Sequence, residues 1–404
     1  MMCMKEDVKY VIITDDKSFC RIIRMISLSI PDLTGNERKY LNECIDTTFV
    51  SSVGPFVDRL EKMVAEIAGC KYGVATSSGT TGLHTALMSC GVERDDLVII
   101  PSFTFIATAN AVSHCGAIPW LMDIDPASWT LSAEQLRTEL KDKAETRDGK
   151  LIHKPSDRKV AAIMPVYTLG NIPDMDAIIC IAKEYNLPVI ADAAAAIGAE
   201  YKDRKVGELA DCTVFSFNGN KTVTSGGGGA IVTDDEEIAK KAKHISTTAR
   251  ISPEYDFDMV GYNYRMTNIQ AAVGCAQLER VEEFVNKKRH IRETYNILMN
   301  EIDGIDFFPE PGNTRSSCWF SGIVIKDGNL NKLREICKTL KEKGIEARTF
   351  WKPVHLQKPY EHAICAQTLE QTEKVWDKIL TLPCSTSITD EEIEIVANTL
   401  KELL

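Results

Sequence analysis

The 404-residue chain has no Cys-x-x-Cys pair; its thirteen cysteines run singly from Cys3 to Cys384. That spacing and the odd total exclude a paired-cysteine zinc module and do not fit a secreted disulfide framework, leaving reduced thiols. The sequence also lacks any run near the roughly 18 uninterrupted apolar residues that a membrane span requires. Its start has no basic stretch leading into an apolar core and cleavage site, so the expected address is the cytoplasm. Positive charge is short as well: 47 Lys and Arg stand against 58 Asp and Glu, a net charge of −11. No global basic field is available for nucleic acid or an anionic membrane surface, and an anionic ligand would need a local pocket. Internal repeats and low-complexity tracts are absent too.

What is present suits a large globular core: 44% of residues are hydrophobic, and the length suggests two domains. From Tyr72 to about Thr233 short apolar runs such as "YGVATS", "DLVIIPS", "IPWLMDID" and "LPVIAD" alternate with helical patterns. Alternating strand and helix units imply an α/β fold with a mostly parallel sheet covered on both faces. In such sheets ligands bind beyond the carboxyl ends of the strands. Glycines 82, 91 and 116 and Pro173 are read as helix boundaries, and the charged, turn-rich "TRDGKLIHKPSDRK" at 146–159 as a surface excursion. Residues 1–24 read as an N-terminal extension, because "MISLSIPDLTGNERKYL" from Met25 looks like a natural start followed by a helix. After about residue 280 the pattern turns to charged amphipathic helices with a few strands. We therefore expect a large domain over 25–280 and a smaller C-terminal α/β domain over 281–404.

Four features fall at the ends of expected strands. "ATSSGTTGLHTAL" runs from a strand into a helix through Ser78, Gly79 and Thr80, and a helix N-terminus offers amide donors and positive potential to a phosphate, or serves simply as a cap. "LPVIADAAAAIG" ends a run too apolar for an edge strand in Asp192, a carboxylate that burial makes costly unless it is paired. "PSFTFIATANAV" places Phe103 and Phe105 where one could lie against a flat ring. "TVFSFNGNKTVTSGGGGAIVTDD" sets Lys221 in a glycine-rich turn between two core strands. A phosphate cradle, a buried carboxylate, an aromatic floor and a lysine together suit pyridoxal 5′-phosphate.

With these residues in view, the chain from about Ser27 onward resembles the DegT/DnrJ-type nucleotide-sugar aminotransferases, which use pyridoxal phosphate on the fold type I (aspartate aminotransferase-like) scaffold. The resemblance rests on "SSGTTGLHTAL", "PSFTFIATANAV", "PVYTLGNIPDMDAI", "VIADAAAAIGA", "FSFNGNKTVTSGGGG", "GYNYRMTNIQAAVGCAQL" and "WKPVHLQKPY", in that order. It implies that Lys221 is the Schiff-base lysine and Asp192 the partner of the pyridine nitrogen. By the same resemblance Phe105 stacks on the ring, Gly79, Thr80 and Ser216 hold the phosphate, and Asn263 reaches the cofactor of a neighbouring subunit in a homodimer. Arg348, Trp351, Lys352 and His355 match a segment on the substrate side, and no metal is implied. Within the family "FSFNGNK", the insert near residue 150 and "NYRM" are most similar to enzymes that aminate UDP-4-keto-6-deoxy-N-acetylhexosamines of the bacillosamine and legionaminic type, with glutamate as donor. Three positions depart from the family pattern: Ala195 stands for a Gln, Gly227 for an acid and Tyr167 for a His. A deoxysugar dehydratase of the same family carries His in place of Lys221, and a silent regulator or an amino-acid-directed desulfurase are the other readings weighed.

Overall fold

The computed structural model describes residues 10–14 and 20–404, with side chains from Met25 onward. Part of the extension read at 1–24 thus lies outside the described residues; within it the backbones of Tyr10–Thr14 and Cys20–Arg24 pair as antiparallel strands.

Seven strands build the central sheet: β1 (Tyr72–Thr76), β2 (Leu97–Pro101), β3 (Ile118–Met122), β4 (Arg158–Ile163), β5 (Ile190–Asp192), β6 (Cys212–Ser216) and β7 (Gly229–Thr233). They lie in the order β1-β7-β6-β5 and then β4-β2-β3, the two runs joined by parallel bridges at Ile163–Val189 and Val166–Asp192. Only β7 among these seven runs antiparallel to its neighbours. The apolar continuity of "LVIIP" in β2, buried at every position, is what a strand covered on both faces requires. A short strand at Ile364–Cys365 adds a parallel edge beside β3.

The stretch read as a surface excursion instead widens this sheet. Lys150–His153 pairs antiparallel with Ala144–Arg147 on one side and with β4 on the other. Its apolar positions explain why: Leu151 is buried, and the buried His153 ring packs 4.4 Å from that of Trp120. The charges belong to the turns and the outer face.

Helix α1 (Gly79–Ser89) follows β1, and α2 (Ala107–His114) follows β2. Gly91 and Gly116 sit just beyond them at φ 85° and 72°, the left-handed geometry that ends a helix at low cost with glycine. Gly82 lies inside α1 rather than at an end. A Cβ there would come within 2.9 Å of Val214 Cγ1, so its absence lets the helix lie directly on β6.

After the long helix α3 (Val281–Met299), an antiparallel sheet forms from Ile305–Phe307, Ser321–Ile325, Ile379–Leu382 and Arg348–Thr349. Its core gathers Ile291 and Tyr295 of α3 with Ile323, Leu380 and Val396, and also takes Ile26 and Leu28 from the other end of the chain. Two cations of α3 are buried here. Lys288 Nζ donates to the carbonyls of Trp319 at 3.0 Å and Cys384 at 2.6 Å, and Arg292 donates to that of Phe320. Among the described residues no helix is long and apolar enough to cross a membrane.

Candidate active site

The carboxyl ends of β1, β2, β5 and β6 open on one cavity of about 320 Å³. Its wall includes Gly79, Thr80, Phe105, Asp192, Ser216, Lys221 and Trp351, seven of the residues singled out in the sequence.

One corner is made by the start of α1. Ser78 caps the helix, its Oγ accepting from the Thr81 amide at 3.1 Å while Thr81 Oγ1 accepts from the Ser78 amide at 3.0 Å. This closes the first turn and presents the helix end, with Gly79 and Thr80, to the cavity. Ser216, the last residue of β6, faces it so closely that a Cβ on Gly79 would lie 2.8 Å from Ser216 Cβ. Glycine is required by that approach. The resulting pocket of amide and hydroxyl donors at a positive helix end has the character of an anion site.

Asp192 ends β5 and is buried. Its Oδ2 accepts from Thr108 Oγ1 at 2.7 Å and its Oδ1 from the Ala194 amide at 3.1 Å. Thr108, in the first turn of α2, is in turn 2.8 Å from Thr104 Oγ1. Burial pushes the Asp192 carboxyl up from its ordinary value, while Thr108, Ala194 and the charge of Lys221 pull it back.

Lys221 is fixed by a tight turn in which its amide donates to the Asn218 carbonyl at 2.9 Å. Burial lowers its amine from the ordinary 10.5 to about 8, against the opposing pull of Asp192. An amine so tuned is a usable base near neutral pH. Its nearest aromatic neighbour is Trp319, whose ring centroid lies 3.6 Å from Nζ.

The two phenylalanines, in the bend that follows β2, meet different surroundings. Phe103 is fully buried against Trp129 and Phe350, whereas Phe105 is 54% exposed, lines the cavity and lies 5.9 Å from Trp351.

Other sequence candidates lie elsewhere. Arg348 and Lys352 are exposed and do not line the cavity. His355 is turned toward the end of β2, with Nδ1 2.6 Å from Ser102 Oγ and Nε2 3.3 Å from Glu373 Oε1. It braces the segment that carries Trp351. Asn263 is exposed, is not among the residues lining the cavity of its own chain, and accepts from Arg265 Nε at 3.3 Å. Thr108, Asn220 and Trp319 are among the cavity residues that were not anticipated. A hydroxyl one helical turn beyond "SFTF" could have flagged Thr108, but nothing local marks Trp319.

Pyridoxal 5′-phosphate can be tested against these groups. It needs an anion cradle, a carboxylate for its pyridine nitrogen, apolar cover for its ring and an amine to bond its aldehyde carbon. The Gly79–Ser216 corner, the buried Asp192, Phe105 and Lys221 supply one of each around a single cavity. The residues fit the cofactor.

A sequence model of the DegT/DnrJ/EryC1/StrS aminotransferase family matches residues 31–401. The GDP-perosamine synthase of Caulobacter vibrioides is 39% identical over 382 residues, covering 94% of this chain and 98% of that one. EpsN of Bacillus subtilis, named as a pyridoxal phosphate-dependent aminotransferase, is 34% identical and covers 91% of this chain and 93% of its own. Among solved structures, a DegT DnrJ EryC1 StrS aminotransferase from Brucella abortus is similar with a TM-score of 0.83 at 27% identity, covering 91% of this chain and 95% of that one.

Proposed function

The chain belongs to the DegT/DnrJ/EryC1/StrS aminotransferase family, a pyridoxal phosphate-dependent sugar aminotransferase of fold type I, and we propose that it moves an amino group from glutamate to a nucleotide-linked 4-keto-6-deoxysugar. The observation that carries this reading is the meeting of Lys221, Asp192 and the Gly79–Ser216 corner around one cavity.

When bound, pyridoxal 5′-phosphate supplies an electron sink for the charge left on carbon as a proton departs. The chain does the rest. Gly79, Thr80 and Ser216 would hold the phosphate and so place the ring in the cavity. Asp192, whose ionised form the Thr108 and Ala194 hydrogen bonds favour against burial, would hold a proton on the pyridine nitrogen. Phe105 covers one face. Lys221 would be the group that bonds the aldehyde carbon, and its Nζ, when free, is the base placed to take the proton from the donor's α-carbon over a short distance. The same groups run in reverse on the sugar ketone.

The sequence resemblance pointed to UDP-4-keto-6-deoxy-N-acetylhexosamine. The relative at 39% identity is named for a GDP-linked aminosugar, and on that ground we assign a GDP-linked 4-keto-6-deoxyhexose as first substrate, the product feeding polysaccharide synthesis. We further assign Asn263 to the cofactor phosphate of a second copy. It does not line its own cavity, and the same stretch exposes Tyr255, Phe257 and Val260, apolar side chains that a homodimer would cover.

The test is the visible absorption of the purified protein with pyridoxal phosphate, before and after glutamate, then with GDP-, UDP- and dTDP-linked 4-keto-6-deoxy sugars. Loss of the lysine-bonded band with glutamate and its return with the GDP sugar is the expected result. Return only with a UDP-N-acetylhexosamine would restore the narrower sequence reading. No band at all would make Lys221 a residue in a turn and the protein a silent binder.

A further inference from the structure

Trp319 stands at the head of the strand Ser321–Ile325, far from the glycine-rich turn in sequence, yet its ring centroid lies 3.6 Å from Lys221 Nζ. That is well within the ~6 Å reach of a cation–π contact. Among the described residues the amine has no hydrogen-bonded partner, so the indole face is its principal polar contact.

The residue is held at three points, one on the ring and two on its backbone. Its indole Nε1–H donates to the carbonyl of Asn220, the residue before the lysine, at 2.7 Å. Its backbone amide donates to the Leu169 carbonyl at 3.1 Å. Its own carbonyl accepts from the buried Lys288 at 3.0 Å, a cation that pairs with no carboxylate among the described residues and serves here as a strut. Two residues in left-handed backbone, Leu169 at φ 61° and Cys318 at φ 49°, flank the arrangement. Non-glycine residues adopt that region at a cost, and the surrounding structure must over-determine them. So much constraint on one indole calls for a role beyond filling space.

We propose that the Trp319 face is the seat of the Lys221 ammonium whenever that amine is not bonded to the cofactor, and that Trp319 thereby positions Nζ and favours its protonated form. This rests on the reading of Lys221 as the reacting amine. The choice of an aromatic ring has a chemical reason. Among the described residues Asp192 is the charged group that acts on this amine, and the cofactor's nitrogen needs that carboxylate. A second carboxylate would bind the ammonium strongly and spoil it as a base. An indole stabilises the cation weakly and carries no charge, so the amine can leave it.

The experiment titrates Lys221 itself in the full chain freed of cofactor by hydroxylamine and dialysis. Trace acetylation with acetic anhydride across a pH series, quantified at Lys221 by peptide mass spectrometry, gives the pH at which this amine loses its proton. Trp319→Leu keeps apolar volume without the face; Trp319→Phe keeps a face. In Trp319→Leu the Lys221 transition is expected to fall by about 0.4 to 1.5 pH units, the worth of a cation–π contact, and in Trp319→Phe to return most of the way. A transition in Trp319→Leu at or above the wild-type value, or one equally lowered in both variants, overturns the proposal. The readout needs no turnover. A Lys221 that follows the ring in this way but never bonds pyridoxal phosphate would sink the functional reading and leave this one standing.

Discussion

Replacing Lys221 with methionine should make the cofactor-free fold more stable at pH 7, not less. The amine falls from 10.5 to about 8 on folding, so the folded state binds this proton less tightly than the unfolded chain does. Stability rises with pH wherever the unfolded state binds more protons. The penalty for burying the ammonium is therefore full below about pH 8 and fades between there and 10.5. A difference of about 2.5 units at 1.36 kcal/mol each gives a ceiling of about 3 kcal/mol. Methionine fills similar space without charge, but its introduction also removes the pull of Lys221 on the buried Asp192, which returns part of the gain. The expected net gain is about 1 to 3 kcal/mol at pH 7, shrinking toward zero near pH 10.5. Urea unfolding of both cofactor-stripped proteins at pH 7 and pH 10 measures it, compared at equal m-values. A variant less stable than wild type at pH 7, or a gap that ignores pH, would refute the reasoning.

Two further substitutions probe the other corners. Gly79→Ala adds a methyl 2.8 Å from Ser216 Cβ; the clash, about 1 to 3 kcal/mol, outweighs the helix gain of up to about 1 kcal/mol. Pyridoxal phosphate should then bind at least about tenfold more weakly by equilibrium dialysis, and unchanged affinity would move the phosphate away from this corner. Thr108→Val removes the donor 2.7 Å from Asp192 Oδ2. A hydrogen bond to a charged group is worth about 1.5 to 3 kcal/mol, so the carboxyl should need a higher pH to ionise, and the acid limb of the pH–rate profile should move up by about 1 to 2 units. An unmoved acid limb would show that Asp192 is not the group titrating there.

The legible part of this protein was written in local pattern. Buried strands such as "LVIIP" announce themselves by composition, and chemistry-bearing residues at their carboxyl ends, Asp192 after β5 and Lys221 after β6, stand out because lysine and aspartate are rarely found there without a partner. The misreadings have the opposite cause. The charged 146–159 segment looked like a loop because its strand is only four residues long, so its two buried positions, Leu151 and His153, are easily outvoted by the charged turns around them. Gly82 looked like a helix end because only the neighbouring β6, more than a hundred residues on, reveals what a side chain would strike. His355 looked like a substrate ligand until Ser102 was beside it.

Trp319 belongs to this second kind, and its case explains why the site could be named from sequence but not completed from it. The residues that touch reacting atoms are constrained in type, so their letters carry information. The residue that holds Lys221 in place is constrained in position, by bonds to Asn220, Leu169 and Lys288 spread over more than a hundred residues of chain. Any tryptophan before a core strand would read the same. What distinguishes this one is that a half-buried lysine, a weakly binding ring and a carboxylate reserved for the cofactor must balance: strengthen the seat and the amine stays charged, remove it and the amine is left without a defined place. That balance is a property of three separate chain segments meeting, and only the fold brings them together.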